Sequence, residues 1–250
     1  MVLELTTPHH RRVGRTLTVL SLTTLTLAGA AVAGPSAPAA DLPRGHDVSS
    51  HQKNVDWPRI ADKGASFVYV KATESHTYRN PYFDRQYDGA RSADLVRGAY
   101  HFALPDKSSG KKQAGFFARN GGDGGPDGWT LPPALDLENN PYNAKKRCYG
   151  MGADSMRRWI TSFSDETLRL TGRRPVIYTT AKWWNDCTNH SKAFARDHAL
   201  WLANWSRSPG KLPAGWTYWT FWQHAESGKL PGDQNVFNGS TDQLHRFAGG

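Results

Sequence analysis

The sequence predicts an α/β fold: an irregular TIM-like barrel with five β/α units followed by three closing strands. Three observations lead there. Short apolar runs alternate with helical stretches along most of the chain, the pattern of a parallel sheet with crossover helices. After Trp201 the strand-like runs crowd together with no long helix between them. A closed barrel accounts for eight such runs with no obvious edge.

The strand candidates are 45–49, 66–72, 96–102, 133–137, 175–179, 200–204, 218–223 and one near Val236. Ser66-Phe67-Val68-Tyr69-Val70 and Val176-Ile177-Tyr178 read as buried parallel strands, which are apolar on both faces. Helical candidates lie at 57–62, 81–93, 110–119 and 152–171. In the last, Met156, Trp159, Ile160 and Phe163 recur at spacings of three and four, which makes one apolar stripe. Gly172 suits the C-terminal cap of that helix.

Residues 1–40 read as a secretory signal peptide. Arg11, Arg12 and Arg15 form a basic start, the weakly apolar run 17–33 follows, and Ala37-Pro38-Ala39-Ala40 offers small residues for cleavage. The run is too weakly apolar, and too soon followed by Pro and Ala, for a membrane anchor. Arg11-Arg12 admits a twin-arginine export route beside the general one. The chain from 41 to 250 is then expected to be one catalytic domain, secreted, monomeric and free of stable membrane association.

The leader holds three Arg and one Glu, so its removal takes the formal net charge from +9 to +7. A basic extracellular protein suits an anionic partner, such as nucleic acid or a bacterial wall. The positive charges are scattered with no Lys/Arg run, and nucleic acid is not expected as a partner. Cys148 and Cys187 are the two cysteines; in a secreted chain they favour one disulfide. The histidines show no metal-binding spacing, and neither a metal nor a cofactor is expected.

Asp136-Leu137-Glu138 carries the most chemistry. On a strand the i and i+2 carboxylates share a face, and Leu137 points into the packing behind. Glycoside hydrolysis needs one acid that holds a proton for the leaving oxygen and one ionised carboxylate to support positive charge on the sugar. Asp47, Glu74, His101 and Gln223 also fall at or near predicted strand ends, where barrel chemistry sits. Taken singly each has a plainer reading. Asp47 and Asp233 suit turns, His101 suits a hydrogen-bonded core position, and Tyr178 suits either core or pocket. Tyr100 and His101 alternate along a strand, so one of them faces inward. The chain has 10 Trp, crowded toward its C-terminal half, and some, Trp205 among them, would suit stacking on sugar rings.

The segments 45–52, 70–74, 97–102, 135–138, 176–180, 219–224 and 233–239 resemble, in order, the motifs of glycoside hydrolase family 25, the Chalaropsis-type lysozymes. The resemblance spans the chain beyond the leader and looks closest to secreted actinobacterial members, including the surroundings of both cysteines. It implies a barrel of five β/α units and three closing strands. It further implies an N-acetylmuramidase that cuts the β-1,4 bond between N-acetylmuramic acid and N-acetylglucosamine in bacterial peptidoglycan. By the same resemblance Glu138 is the general acid, Asp136 its carboxylate partner, and Asp47 and Asp233 further pocket acids. Tyr100, Tyr178, Glu74, Trp205 and Gln223 are the substrate-binding candidates. The chain departs from the family pattern at Ser50 and His51, where His and an aromatic are usual, and at Ser75, where Gly is usual.

Repulsion and burial are expected to keep Glu138 protonated while Asp136 and Asp47 stay ionised. Net retention is expected, with either Asp136 or the substrate's acetamido oxygen as nucleophile. Two other readings compete: a chitinase-like glycosidase and a non-catalytic wall-binding module. The first lacks the outer acids of D-x-x-D-x-D-x-E, since Leu131 and Ala134 stand there. The second leaves the set of four acids and two tyrosines without a use.

Overall fold

The computed structural model describes residues 42–122 and 124–250; the leader read at 1–40 lies outside them. The chain runs through β1 (Arg44–Val48), α1 (Trp57–Asp62) and β2 (Ala65–Glu74), then the short β3 (Tyr78–Arg79) and α2 (Phe83–Ser92). Three more units follow: β4 (Val96–Phe102) with α3 (Gly110–Ala118), β5 (Ala134–Asp136) with α4 (Ala153–Thr171), and β6 (Val176–Thr179) with α5 (Ala181–Thr188). After them β7 (Leu200–Ala203), β8 (Phe221–Ala225) and β9 (Asp233–Phe237) come without helices between, and α6 (Thr241–Gly249) succeeds β9. This is the expected order of five β/α units and three closing strands.

Strands β1, β2, β4, β5, β6, β7 and β8 pair in parallel, and the β1–β2 ladder joins the two ends of the sheet. β9 fits between β8 and β1 and is antiparallel to both. β3 pairs with the end of β2, outside the ring. The reversed β9 has a direct consequence. Its first residue, Asp233, lies at the end where the parallel strands finish, in register with Asp47.

Strand alternation divides the core into two layers. Phe67, Tyr69, Tyr178, Trp201, Phe221 and Phe237 fill the barrel interior, which Leu244 and Ala248 of α6 also help to fill. Val68, Val70, Leu135 and Leu137 pack outward with Trp159, Ile160 and Phe163 of α4 and with Trp183 and Trp184 of α5. The predicted apolar stripe of α4 is buried, and Gly172 caps that helix at φ 74°. Cys148 and Cys187 form the expected disulfide, 39 positions apart with Cα atoms 5.4 Å apart. It ties the loop after β5 to α5, and a loop of that length contributes about 4 kcal/mol in the chain-entropy view.

Three elements differ from the sequence reading. β3 has two residues, too few to leave a pattern. α5 is short and ends in Asn185, Asp186, Cys187 and Thr188, all weak helix formers. It forms because Thr180 caps it and both tryptophans are buried. α6 did carry a signal: Ser240 and Gln243 make a reciprocal capping box.

Candidate active site

The predicted acids converge at one mouth of the barrel. Asp47 is next to last in β1, Asp136 ends β5, Glu138 lies two residues beyond, and Asp233 opens β9. With Tyr100, Tyr178 and Gln223 they line a cavity of about 240 Å³, together with Lys71 of β2 and Trp201 of β7. The ladder explains the convergence. Asp136 pairs with Tyr178 and Tyr178 with Trp201, and laterally paired residues share a face. Leu137, between the two acids, is buried in the outer layer as expected. Gly232 sets up the fourth acid: it has φ +76°, and a Cβ there would lie 2.0 Å from the carbonyl oxygen of Asp47.

Asp47 and Asp233 are held by amides. Gln223 Nε2 donates to Asp47 Oδ2 at 2.9 Å and to Asp233 Oδ2 at 3.1 Å. Asn235 Nδ2 donates to the same Asp47 oxygen at 2.7 Å. The amides are themselves oriented. Tyr178 Oη and Trp205 Nε1 each donate to Gln223 Oε1 at 2.9 Å, and Trp201 Nε1 donates to Asn235 Oδ1 at 2.7 Å. Burial and the charge of Asp233 nevertheless push Asp47 up to about 7, against the pull of the two amides. Burial, with Glu226 adding, pushes Asp233 up to about 6.

Asp136 and Glu138 have a different setting. Asp136 is buried, and its Oδ1 has no hydrogen-bond partner among the described residues. Burial and then the charge of Glu138 hold it well above the usual carboxylate range, with Lys71 opposing. Burial pushes Glu138 up to about 7; Lys71 opposes, while Asp233 and Glu74 add to the rise. The sequence reading raised Glu138 alone and left Asp136 and Asp47 ionised. In the structure burial lifts all four acids, because the barrel mouth removes water from each of them.

The remaining candidates divide. Tyr100 faces the cavity. His101 points the other way, buried, with Nδ1 2.8 Å from Thr73 Oγ1 and Nε2 3.0 Å from Gln113 Oε1. Burial lowers it to about 3, so it is neutral and structural. Glu74 does not line the cavity; it pairs with Lys71 Nζ at 2.6 Å and accepts a hydrogen bond from the Tyr142 hydroxyl. Trp205 sits at the rim, 51% exposed. Sequence reasoning missed Lys71, Trp201 and Asn235. Asn235 was within reach, since it lies two positions after Asp233 on a strand and therefore on the same face. The charge in Val70-Lys71-Ala72, inside an apolar strand, was the signal for Lys71.

A mainly parallel barrel with four carboxylates gathered at one mouth is the framework of a carboxylate-dependent glycosidase. Residues 46–233 match the family described as Glycosyl hydrolases family 25. The chain belongs to this family and is a glycoside hydrolase. It is 45% identical to an N,O-diacetylmuramidase of Arthroderma benhamiae over 92% of this chain and 100% of that protein. It is 43% identical to Lysozyme M1 of Streptomyces globisporus over 82% of this chain and 71% of that protein. A solved structure of a family GH25 lysozyme from Aspergillus fumigatus superposes with a TM-score of 0.81 at 46% identity, covering 83% of this chain and 99% of that one. Fungal and Streptomyces relatives match at nearly equal identity, so these values do not favour the actinobacterial members.

Proposed function

We propose that this chain is an N-acetylmuramidase, a lysozyme that hydrolyses the β-1,4 bond between N-acetylmuramic acid and N-acetylglucosamine in bacterial peptidoglycan. One observation carries the reading: Asp136 and Glu138 share a face at the mouth of a family 25 barrel, both raised above the usual carboxylate range by burial. Glu138 acts as the general acid and protonates the departing glycosidic oxygen. Loss of that proton brings Glu138 to the ionised state that can then activate water, the exchange of roles that retention requires. Asp136 is the second carboxylate. It either orients the substrate's acetamido group for attack on the anomeric carbon or attacks there itself. Asp47 and Asp233, fixed by Gln223 and Asn235, line the side of the cavity formed by β1 and β9 and place negative charge near the oxocarbenium-like centre. Trp205, exposed at the rim, offers a face for a sugar ring. Residues 1–40 direct secretion, and the domain from 41 to 250 works outside the cell as a monomer.

The test is mass spectrometry of soluble products from purified peptidoglycan after borohydride reduction, with Glu138→Gln as control. Reduced muramic acid ends from the wild type and none from the variant support the assignment. Reduced glucosamine ends would mean a glucosaminidase, and the absence of products would revive a binding module.

A further inference from the structure

The loop between β5 and α4 holds a tyrosine that the reaction above does not use. Tyr149 is 4% exposed and packs in the outer core layer with Leu137. Its hydroxyl is buried with no hydrogen-bond partner among the described residues. Burying an unpaired hydroxyl is costly, and such groups call for an explanation. Its backbone is unusual as well: φ is 60°, a left-handed conformation rare for a bulky side chain. Two contacts hold the position. Cys148, just before it, is tied to Cys187 of α5, and the Tyr149 N–H bonds the Lys146 carbonyl oxygen at 2.7 Å.

A second buried atom in this region lacks a partner, and it is an acceptor: Asp136 Oδ1. Among charged groups, Asp136 acts most strongly on the Tyr149 phenol, then Glu138, ahead of Asp106 and Glu74. Geometry agrees: the Asn140 N–H bonds the Arg147 carbonyl oxygen at 3.2 Å, which folds this loop back against the segment that follows the acid pair. An unpaired donor and an unpaired acceptor are held next to the same reaction centre by a strained, disulfide-anchored loop.

We propose that Tyr149 is a positioning residue for Asp136, its hydroxyl donating to Oδ1 of the ionised carboxylate directly or through one bridging water. This rests on the glycosidase reading of Asp136. Burial and the charge of Glu138 favour the protonated form of Asp136, which has less need of a donor. When substrate binds and Asp136 must be ionised, the hydroxyl supplies one. It fixes the carboxylate plane and so aims the other oxygen at the sugar. The charged groups around this pair are Glu138, Lys71 and Glu74 of β2, Asp47 of β1 and Asp106 in the loop after β4, while Asp233 of β9 acts on the neighbouring Glu138.

Tyr149→Phe tests it, because the ring and its packing are kept. The expected kcat loss is about tenfold, the worth of a modest hydrogen bond to a charged group, with KM within about twofold. A donor to the ionised form lowers a carboxylate's pKa, so its removal raises it. The acidic limb of the kcat/KM profile should therefore move to higher pH by about one unit. An unchanged profile overturns the proposal, as does a loss of kcat with the limb in place. A second measurement needs no turnover. The gap in Tm between wild type and Tyr149→Phe should change with pH, the variant losing ground as pH rises and Asp136 ionises without its donor. Parallel Tm curves overturn the proposal. A wild type that releases no muramic acid ends from peptidoglycan counts against the muramidase reading alone, and the Tm curves then decide the Tyr149–Asp136 link.

Discussion

Two pairs of carboxylates face each other across this cavity, and they are built differently. Asp47 and Asp233, at the seam of β1 and β9, sit in a relay of oriented donors. Gln223 Oε1 is occupied by Tyr178 and Trp205, so its nitrogen must face the acids. At the end of β5 the pair Asp136 and Glu138 has no such relay among the described residues, and one oxygen of Asp136 is buried without a partner among them. The contrast is one of orientation rather than of charge, since burial raises all four acids. Fixed amide donors hold the Asp47 and Asp233 oxygens in one place. Oδ1 of Asp136 has no such donor among the described residues.

The largest effect should come from the β5 end. Glu138→Gln keeps the shape and removes the proton, so turnover of peptidoglycan should fall on the order of 10³-fold with the fold intact. Circular dichroism and product mass spectrometry check both halves; a variant with near wild-type rate would remove Glu138 as the acid. At the seam, Gln223→Leu leaves the Tyr178 hydroxyl unpaired and removes a donor from both Asp47 and Asp233. The expected cost is roughly 1–3 kcal/mol in denaturant unfolding, with a fall of about tenfold to a hundredfold in kcat/KM. If stability and rate both survive, the amide relay is not what holds the seam.

Much of this was legible in the sequence, and what was not has physical reasons. The acid pair could be read because strand periodicity places i and i+2 on one face, and the structure puts Leu137 between them in the outer core. The barrel could be read because the four helical stretches up to residue 171 and the bare strands after Trp201 leave different spacings. What stayed hidden are pairings between distant segments. The Trp201–Asn235 hydrogen bond spans 34 positions and Gln223–Asp47 spans 176, and no local pattern encodes either. Tyr149 was visible only as the neighbour of Cys148; its buried hydroxyl and left-handed backbone belong to the folded loop. The pKa expectation was incomplete for a similar reason. Repulsion and burial were both expected to raise one acid, but that burial reaches all four depends on the closed mouth.

The raised acids make a pH prediction whose sign follows from linkage. Each binds a proton more tightly in the folded cavity than in the unfolded chain. Ionisation therefore costs stability as pH climbs from about 4, the unfolded value, through about 7, where Glu138 and Asp47 titrate in the folded state. The substrate-free protein should be more heat-stable near pH 5 than near pH 8. Glu138→Gln should gain on the order of 2 kcal/mol relative to wild type at pH 8 and nothing at pH 4. Activity should fall on the alkaline side as Glu138 loses its proton near 7. Equal Tm differences at both pH values would mean that the β5 pair is not strained by its charge.

The smallest effect tests how the seam is organised. Trp205 and Tyr178 donate to the same oxygen of Gln223 at the same distance, 2.9 Å, but Trp205 is 51% exposed and Tyr178 is buried. Trp205→Phe removes one donor where water can replace it and keeps an aromatic face at the rim. The expected stability change is within about 0.5 kcal/mol and kcat should hold within about twofold. Tyr178→Phe removes the buried donor and should cost more, about 1 kcal/mol, with a larger fall in kcat. The ratio of the two, measured side by side, shows from which direction the amide is held. If Trp205→Phe does as much damage as Gln223→Leu, the relay runs through the rim, and the seam is fixed from the solvent side rather than from the barrel interior.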